Sequence, residues 1–186
     1  MSNYYVLSPD LDTSYMRIKV SRLPERYSDS ILFAESMKPA KLKPVLDLEK
    51  KTAKSVDLVG GLITVPIISD KMLKAIATLP DAIEYYPVKL VLPKDPKIEY
   101  NYFALNALQH VDAFDRKNSK FIDVDYSPVV PHVTKLAIIE SKTNSRNIFR
   151  LKTFPLLMIV SEAARKVFEE ANLIGLQYTA IEDYKG

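Results

Sequence analysis

The sequence predicts an α+β fold in which mixed, mainly antiparallel sheets carry two main amphipathic helices packed on them. Predicted strands come in clusters rather than in regular alternation with helices, and only two stretches have clear helical periodicity. The chain has 186 residues, 47% hydrophobic and 26% charged, which is typical of a globular protein. This length favours a single domain over residues 1–186, with two sub-lobes dividing near 93–98 as the alternative.

The N-terminal half contains short predicted strands and one irregular arm. Residues 4–7 predict a first strand, and residues 16–20 alternate apolar and charged side chains as a half-buried strand does. Residues 21–30 are polar and predict a loop. Prolines between 24 and 44 indicate an irregular exposed arm. This arm carries three lysines: Lys38, Lys41 and Lys43.

The first predicted helix follows a strongly β-prone stretch at residues 62–68. Ser69 and Asp70 have the chemistry of a helix start, and Pro80 ends the helix. Its apolar face is formed by Met72, Leu73, Ile76 and Leu79. Strands are then predicted at 84–92 and 100–108.

The second predicted helix lies inside a strand–strand–helix–strand unit. Residues 148–151 and 156–160 predict two strands, after which the Ser161 hydroxyl can accept from the first free N–H groups of a helix. One helix face is apolar, at positions i, i+3, i+4 and i+7: Ala164, Val167, Phe168 and Ala171. Gly175 is predicted to stop this helix, and residues 176–179 predict a returning strand.

Composition excludes several classes of function. The chain has no cysteine, so disulfides, thiolate catalysis and cysteine-based metal sites are excluded. Net charge is +3, with lysine and arginine interspersed among acidic residues, which disfavours nucleic-acid binding.

No apolar run approaches the length of a membrane span, and the N-terminus lacks a secretory signal. We therefore predict a cytoplasmic protein without a membrane partner.

His110, Asp112 and Asp115 form the most chemically suggestive group. One histidine and two carboxylates could hold a metal ion in a small metal-dependent hydrolase. Strand alternation, however, places His110 and Asp112 on one face and Asp115 on the other, and we favour a strand edge that passes into a turn. Asp123 and Asp125 could likewise bind a divalent cation, but a solvated loop is the favoured interpretation. Neither a nucleophile elbow nor a phosphate loop is present.

Several short blocks of the sequence together resemble a known family. They are residues 4–7, residues 102–115 with Ser119, residues 148–151, residues 159–162 and residues 168–176. These blocks resemble the bacterial immunity-protein family of polymorphic toxin systems, first catalogued as a domain of unknown function. The resemblance spans nearly the whole chain, and none of its motifs is a catalytic signature.

The resemblance implies a cytoplasmic antidote that binds and neutralises a toxin encoded nearby. Such a protein catalyses nothing and needs no cofactor or metal. Its motif residues then have structural roles: Asn106, Asp112, Arg150, Ser161 and Gly175. We interpret Asn106, Asp112 and Asp115 as turn and strand-end residues, and Arg150 as a buried partner for one of those acids, because an unpaired buried charge is costly.

Exposed loops are the predicted contact surface for the toxin, because a scaffold can hold loops while their sequences vary. The candidates lie in the arm at 37–44 and in the segment at 115–132. They are Lys38, Lys41, Lys43, Asp115, Arg116, Lys117, Asp123, Asp125 and Tyr126. Many inhibitors of nuclease toxins are acidic, and this mildly basic chain departs from them. The metal-dependent hydrolase stays open as the alternative function, and a second copy of the chain is the other partner considered.

Overall fold

The chain is mostly β. A computed structural model describes residues 3–12, 14–19, 35–36, 44–49, 54–61, 65–92, 95–123, 129–130 and 132–186. Of these residues, 45% are in strands and 15% in helices. The predicted α+β class is therefore wrong. The two helical periodicities are real, but they correspond to helices of 7 and 9 residues, too short to form a layer against the sheets.

The described elements are thirteen strands, two α-helices and two 3₁₀ helices. The strands are β1 (Tyr4–Pro9), β2 (Arg17–Ile18), β3 (Val45–Asp47), β4 (Leu58–Gly61), β5 (Ile67–Ile68), β6 (Ile83–Leu92), β7 (Asp95–Ala107), β8 (His110–Val111), β9 (Lys120–Ile122), β10 (His132–Lys135), β11 (Ile148–Leu151), β12 (Met158–Ser161) and β13 (Leu176–Ala180). The helices are α1 (Asp70–Ile76) and α2 (Glu162–Glu170), with 3₁₀ turns at Glu140–Lys142 and Ile181–Asp183.

Six strands form a sheet that closes on itself, in the order β2-β4-β5-β7-β6-β3. Its two outer strands are joined by backbone hydrogen bonds from Lys19 N to Asp47 O (2.9 Å) and from Glu49 N to Arg17 O (3.0 Å). Alternate residues of β6, beginning at Tyr86, point into the enclosed space and are buried. The result is a small barrel filled by its own side chains.

A five-stranded sheet packs beside the barrel, in the order β13-β1-β12-β11-β8. Helices α1 and α2 share a buried cluster with both sheets, in which Met72 and Phe168 lie among Leu58 of the barrel and Met158 of the sheet. The opposite face of the five-stranded sheet packs against residues around the two-stranded sheet β9-β10. Strand β8 is one edge of the five-stranded sheet, parallel to β11.

Both helices begin where the sequence predicts. Ser69 accepts a hydrogen bond from Met72 N, and Ser161 accepts one from Ala164 N, so each serine caps a helix N-terminus. The end of α2 differs from the prediction. The left-handed residue that stops it is Asn172 (φ 49°), and Leu173 N returns to Phe168 O at 3.1 Å, as in a Schellman motif.

Gly175 is required for a different reason from the one predicted. It has φ +81°, and a Cβ placed there would lie 2.6 Å from the Cβ of Val56. The glycine therefore lets the chain after α2 pass close to the residues that lead into β4. The single domain over 1–186, with its alternative division near 93–98, stays a prediction.

Candidate functional site

A polar cleft of about 590 Å³ opens at the β8 edge of the five-stranded sheet. One wall is formed by residues 108–112 and the other by the segment after β10, at residues 141–146. The lining residues are Leu108, Gln109, His110, Val111, Asp112, Ser141, Lys142, Asn144 and Arg146.

Within the described residues, no helix has the length and apolar character needed to span a membrane.

Unusual backbone geometry shapes the second wall of the cleft. Asn144 (φ 53°) and Ser145 (φ 54°) are consecutive left-handed residues, a conformation that side chains other than glycine rarely adopt. The segment is fixed on both sides, because Thr143 Oγ1 bonds to the Tyr4 hydroxyl at 2.6 Å and Asn147 N donates to Asp81 Oδ1 at 3.1 Å. Strained backbone held in this way is concentrated at functional sites.

Two buried polar atoms of the first wall have no hydrogen-bond partner among the described residues. They are Gln109 Oε1 and His110 Nε2. An unpaired buried polar atom destabilises the fold, so such atoms are rare in native proteins. Both atoms are closed to solvent in side chains that line the cleft, so a bound molecule would bond to them only after these side chains turn towards it.

His110 favours its neutral form. Burial lowers the pKa of the His110 imidazole, and the positive charge of Arg150 lowers it further. Arg150 is the register partner of His110 in the parallel β11–β8 pair. A neutral imidazole has one nitrogen that donates and one that accepts, so His110 can recognise a polar partner without carrying charge.

The mouth of the cleft is positively charged overall. Lys142 is exposed and Arg146 half-buried, and among the charged lining residues only Asp112 opposes them. This arrangement favours an acidic partner surface.

A turn beside the cleft holds three of the predicted contact residues, Asp115, Arg116 and Lys117. Asp115 accepts hydrogen bonds from Lys117 N (3.0 Å), Asn118 N (3.1 Å) and Asn118 Nδ2 (2.6 Å). These bonds lower the pKa of the Asp115 carboxyl, with the Asn118 side chain as the largest cause. Arg116 contacts Asp123 at 2.9 Å and lies over the Phe121 ring at 5.1 Å.

The residues proposed for a metal-dependent hydrolase do not come together in one site. His110 and Asp112 line the cleft, whereas Asp115 is engaged in its own turn. No three His, Asp or Glu side chains of the described residues come together to hold a metal ion.

The other predicted contact residues divide into two groups. Arg116, Lys117 and Asp123 are exposed, while five lie outside the described residues: Lys38, Lys41, Lys43, Asp125 and Tyr126.

The predicted ion pair of Arg150 is wrong. Arg150 is buried, at 1% exposure, but its Nη1 donates to the Pro155 carbonyl. Asp115 is bonded within its own turn, and no described acid forms an ion pair with Arg150. Asn106, predicted as a strand-end residue, is fully buried near the end of β7, where its Nδ2 donates to Glu35 O at 2.9 Å.

Sequence reasoning missed the second wall of the cleft. The run Thr143-Asn144-Ser145 was the available signal, since these residue types favour turns and asparagine tolerates the left-handed region. Gln109 carried no signal of its own, because its importance depends on burial in the folded chain.

The model of the Imm11 immunity protein family matches residues 8–183, which is nearly the whole chain. This protein belongs to the Imm11 immunity protein family. The resemblance inferred from the sequence is thereby confirmed, and the match supports an immunity role for this Imm11 protein. No curated protein is significantly similar to it.

Proposed function

We propose that this Imm11 protein binds a toxin encoded beside its own gene and neutralises it in the cytoplasm by stoichiometric association, without catalysis. The family match over residues 8–183 carries the proposal. The separation of Asp115 from His110 and Asp112 agrees with it, because one of the two acids that the hydrolase would use is bonded within its own turn.

We place the contact on the cleft face, defined as the cleft lining together with the turn at 115–118. Backbone hydrogen bonds from Asp115 N to Ala137 O (3.0 Å) and from Ile139 N to Ala113 O (2.8 Å) join the chain on one side of the cleft to the chain on the other. The turn and the cleft are thus held on one framework. A preorganised surface loses little conformational entropy on binding, which favours affinity.

Two properties of the cleft face suit it to a protein partner. The unpaired Gln109 and His110 atoms can gain hydrogen bonds if their side chains turn towards the partner on association, without losing any to the described part of the fold. The cations at the mouth, Lys142 and Arg146, can steer an acidic toxin surface towards the cleft. A mildly basic immunity protein therefore fits a toxin with an acidic contact surface.

The test is the affinity of this protein for the product of the adjacent gene, measured by calorimetry and by protection of cells that express that product. We expect a one-to-one complex. Reversing the cleft charges with Lys142→Glu and Arg146→Glu should weaken the affinity by roughly tenfold or more, because like charges across an interface repel.

The matched control is Lys97→Glu with Lys166→Glu, which changes net charge equally at two exposed positions outside the cleft face. The control should bind nearly as tightly as the wild type. If both double variants bound equally, the cleft face would be the wrong surface. The absence of both association and protection would refute the antidote function itself.

A further inference from the structure

A small cavity of about 80 Å³ lies between the barrel and the five-stranded sheet. Its walls are almost entirely apolar, with Leu58 and Pro66 from the barrel side and Leu7 and Met158 from the sheet. Arg150 is the one charged side chain among the described residues that line it. A guanidinium in such surroundings requires an explanation, because an isolated buried charge is strongly destabilising.

The hydrogen bonds of Arg150 account for only part of its donor capacity. A guanidinium has five N–H donors. Nη1 donates to the Pro155 carbonyl, while Nε is buried with no acceptor among the described residues. Burial lowers the pKa of Arg150 to about 10, so the side chain stays protonated at neutral pH. Arg150 is therefore a buried cation that lines the cavity and has a donor without an acceptor among the described residues.

We propose that this cavity binds one carboxylate group, held by the guanidinium of Arg150, whose Nε must turn towards the cavity to take part. Nε and Nη2 of a guanidinium can donate two parallel hydrogen bonds to the two oxygens of a carboxylate. The cavity has the volume of roughly two to three waters, which accommodates a carboxylate with a short apolar group against the leucine and methionine side chains. The residues that line this cavity are different from those that line the cleft.

The cavity is electrostatically connected to the cleft. Arg150 and His110 are register partners on adjacent strands, and the Arg150 charge helps to lower the pKa of His110. A bound carboxylate would offset that charge. Occupation of the cavity is therefore expected to raise the pKa of His110, although the two side chains line different cavities.

Thermal unfolding of the isolated protein in sodium acetate, with sodium chloride at equal ionic strength as the reference, tests the site. Acetate that binds only the native state should raise the melting temperature by roughly 3–6 °C for each tenfold increase above its dissociation constant. Arg150→Met should abolish this dependence. Arg150→Lys should weaken it, because an ammonium cannot form the paired bonds. Equal melting temperatures in acetate and chloride would overturn the proposal.

A second measurement does not require an Arg150 variant to fold. The chain has two histidines, so histidine NMR titrations are readily resolved. Saturating acetate should raise the pKa of His110, while the signals of exposed His132 serve as the internal control. Acetate that left the His110 titration unchanged would contradict the site even if the protein were stabilised.

The carboxylate can come from a small organic acid or from an acidic side chain of a protein partner, and competition separates the two. If acetate weakens binding of the toxin, the cavity receives an acidic side chain of that toxin. If toxin affinity is the same in acetate and chloride while the acetate effects above are present, the site is one for a small acid.

Discussion

Two regions of this Imm11 protein differ in how their polar side-chain atoms are hydrogen-bonded. At the helix starts, each capping serine accepts a backbone N–H at 3.1 Å and also donates its own proton, Ser69 to Asp57 and Ser161 to Asn147. In the cleft, Gln109 Oε1 and His110 Nε2 have no partner among the described residues. The first region stabilises the fold, whereas the second retains hydrogen-bonding capacity for another molecule.

The largest effect on stability is expected at Asp57, which connects the two helices. Its carboxylate accepts from Ser69 Oγ at the start of α1 and from Ile174 N, at 2.8 Å, after the end of α2. Asp57→Ala would leave both donors unpaired in a site that is 6% exposed. We expect a loss of about 3 kcal/mol in the free energy of unfolding, measured by urea denaturation.

The control for Asp57 is Asp70→Ala, which removes an exposed ion pair with Lys74 on the surface of α1. Exposed pairs contribute little, so the loss should stay below about 1 kcal/mol. Equal losses in the two variants would show that the buried carboxylate has no special role.

A smaller effect is expected at the caps themselves. Ser161→Ala removes the acceptor for Ala164 N and the donor to Asn147 Oδ1, and should cost about 1–2 kcal/mol. Ser69→Ala should behave in the same way at α1. Ser141→Ala, at an exposed position, is the reference and should change stability by less than about 0.5 kcal/mol. A cap variant as stable as this reference would contradict the comparison.

The next effect, on the pH dependence of the free energy of unfolding, arises at His110. Its pKa is lowered in the folded protein from the ordinary value of 6.5, so between those two pKa values the unfolded chain binds more protons. Stability should therefore fall as pH falls from above 6.5 towards the folded pKa, and level off below it. His110→Gln should remove this dependence. A wild type and variant with parallel stability–pH curves would contradict the shift, and His132→Gln controls for the other histidine.

The smallest effect on stability is expected at Gln109. Gln109→Met keeps the length of the side chain but removes the unpaired amide oxygen, so stability should change by less than about 0.5 kcal/mol or rise slightly. Toxin affinity should fall by contrast. Gln177→Met, at an exposed position on β13, should leave both quantities unchanged. A large loss of stability at Gln109 would mean that its side chain is a structural group like the caps.

The features that could be predicted from the sequence are those that depend on residues close to each other along the chain. The serine followed by an acidic residue gave both helix starts, because capping involves only the next three residues. The strands around Ser161 were also predicted, since their apolar runs are continuous. The end of α2 was assigned to Gly175 because glycine is the usual left-handed residue, whereas asparagine at 172 fills that role.

Features that depend on distant residues could not be predicted in this way. Closure of the barrel requires β2 and the residues after β3 to meet, and no local pattern encodes that contact. The fold class was wrong for the same reason, since local periodicity does not show how many strands pair. The cleft brings Gln109 together with Lys142 and Arg146 through the long-range packing of the chain. The cavity at Arg150 likewise depends on two sheets that the sequence does not place side by side.

The position of β1 has a consequence for how the protein is made. Residues 4–9 lie between β12 and β13, pairing with residues 158–161 on one side and 176–180 on the other. This strand therefore leaves the ribosome long before the two strands that flank it, and its pairing must wait for them. Such distant pairing slows folding. Newly synthesised chains are expected to acquire protease resistance only after residues 176–180 have emerged, which sets a delay between translation and the appearance of active protein.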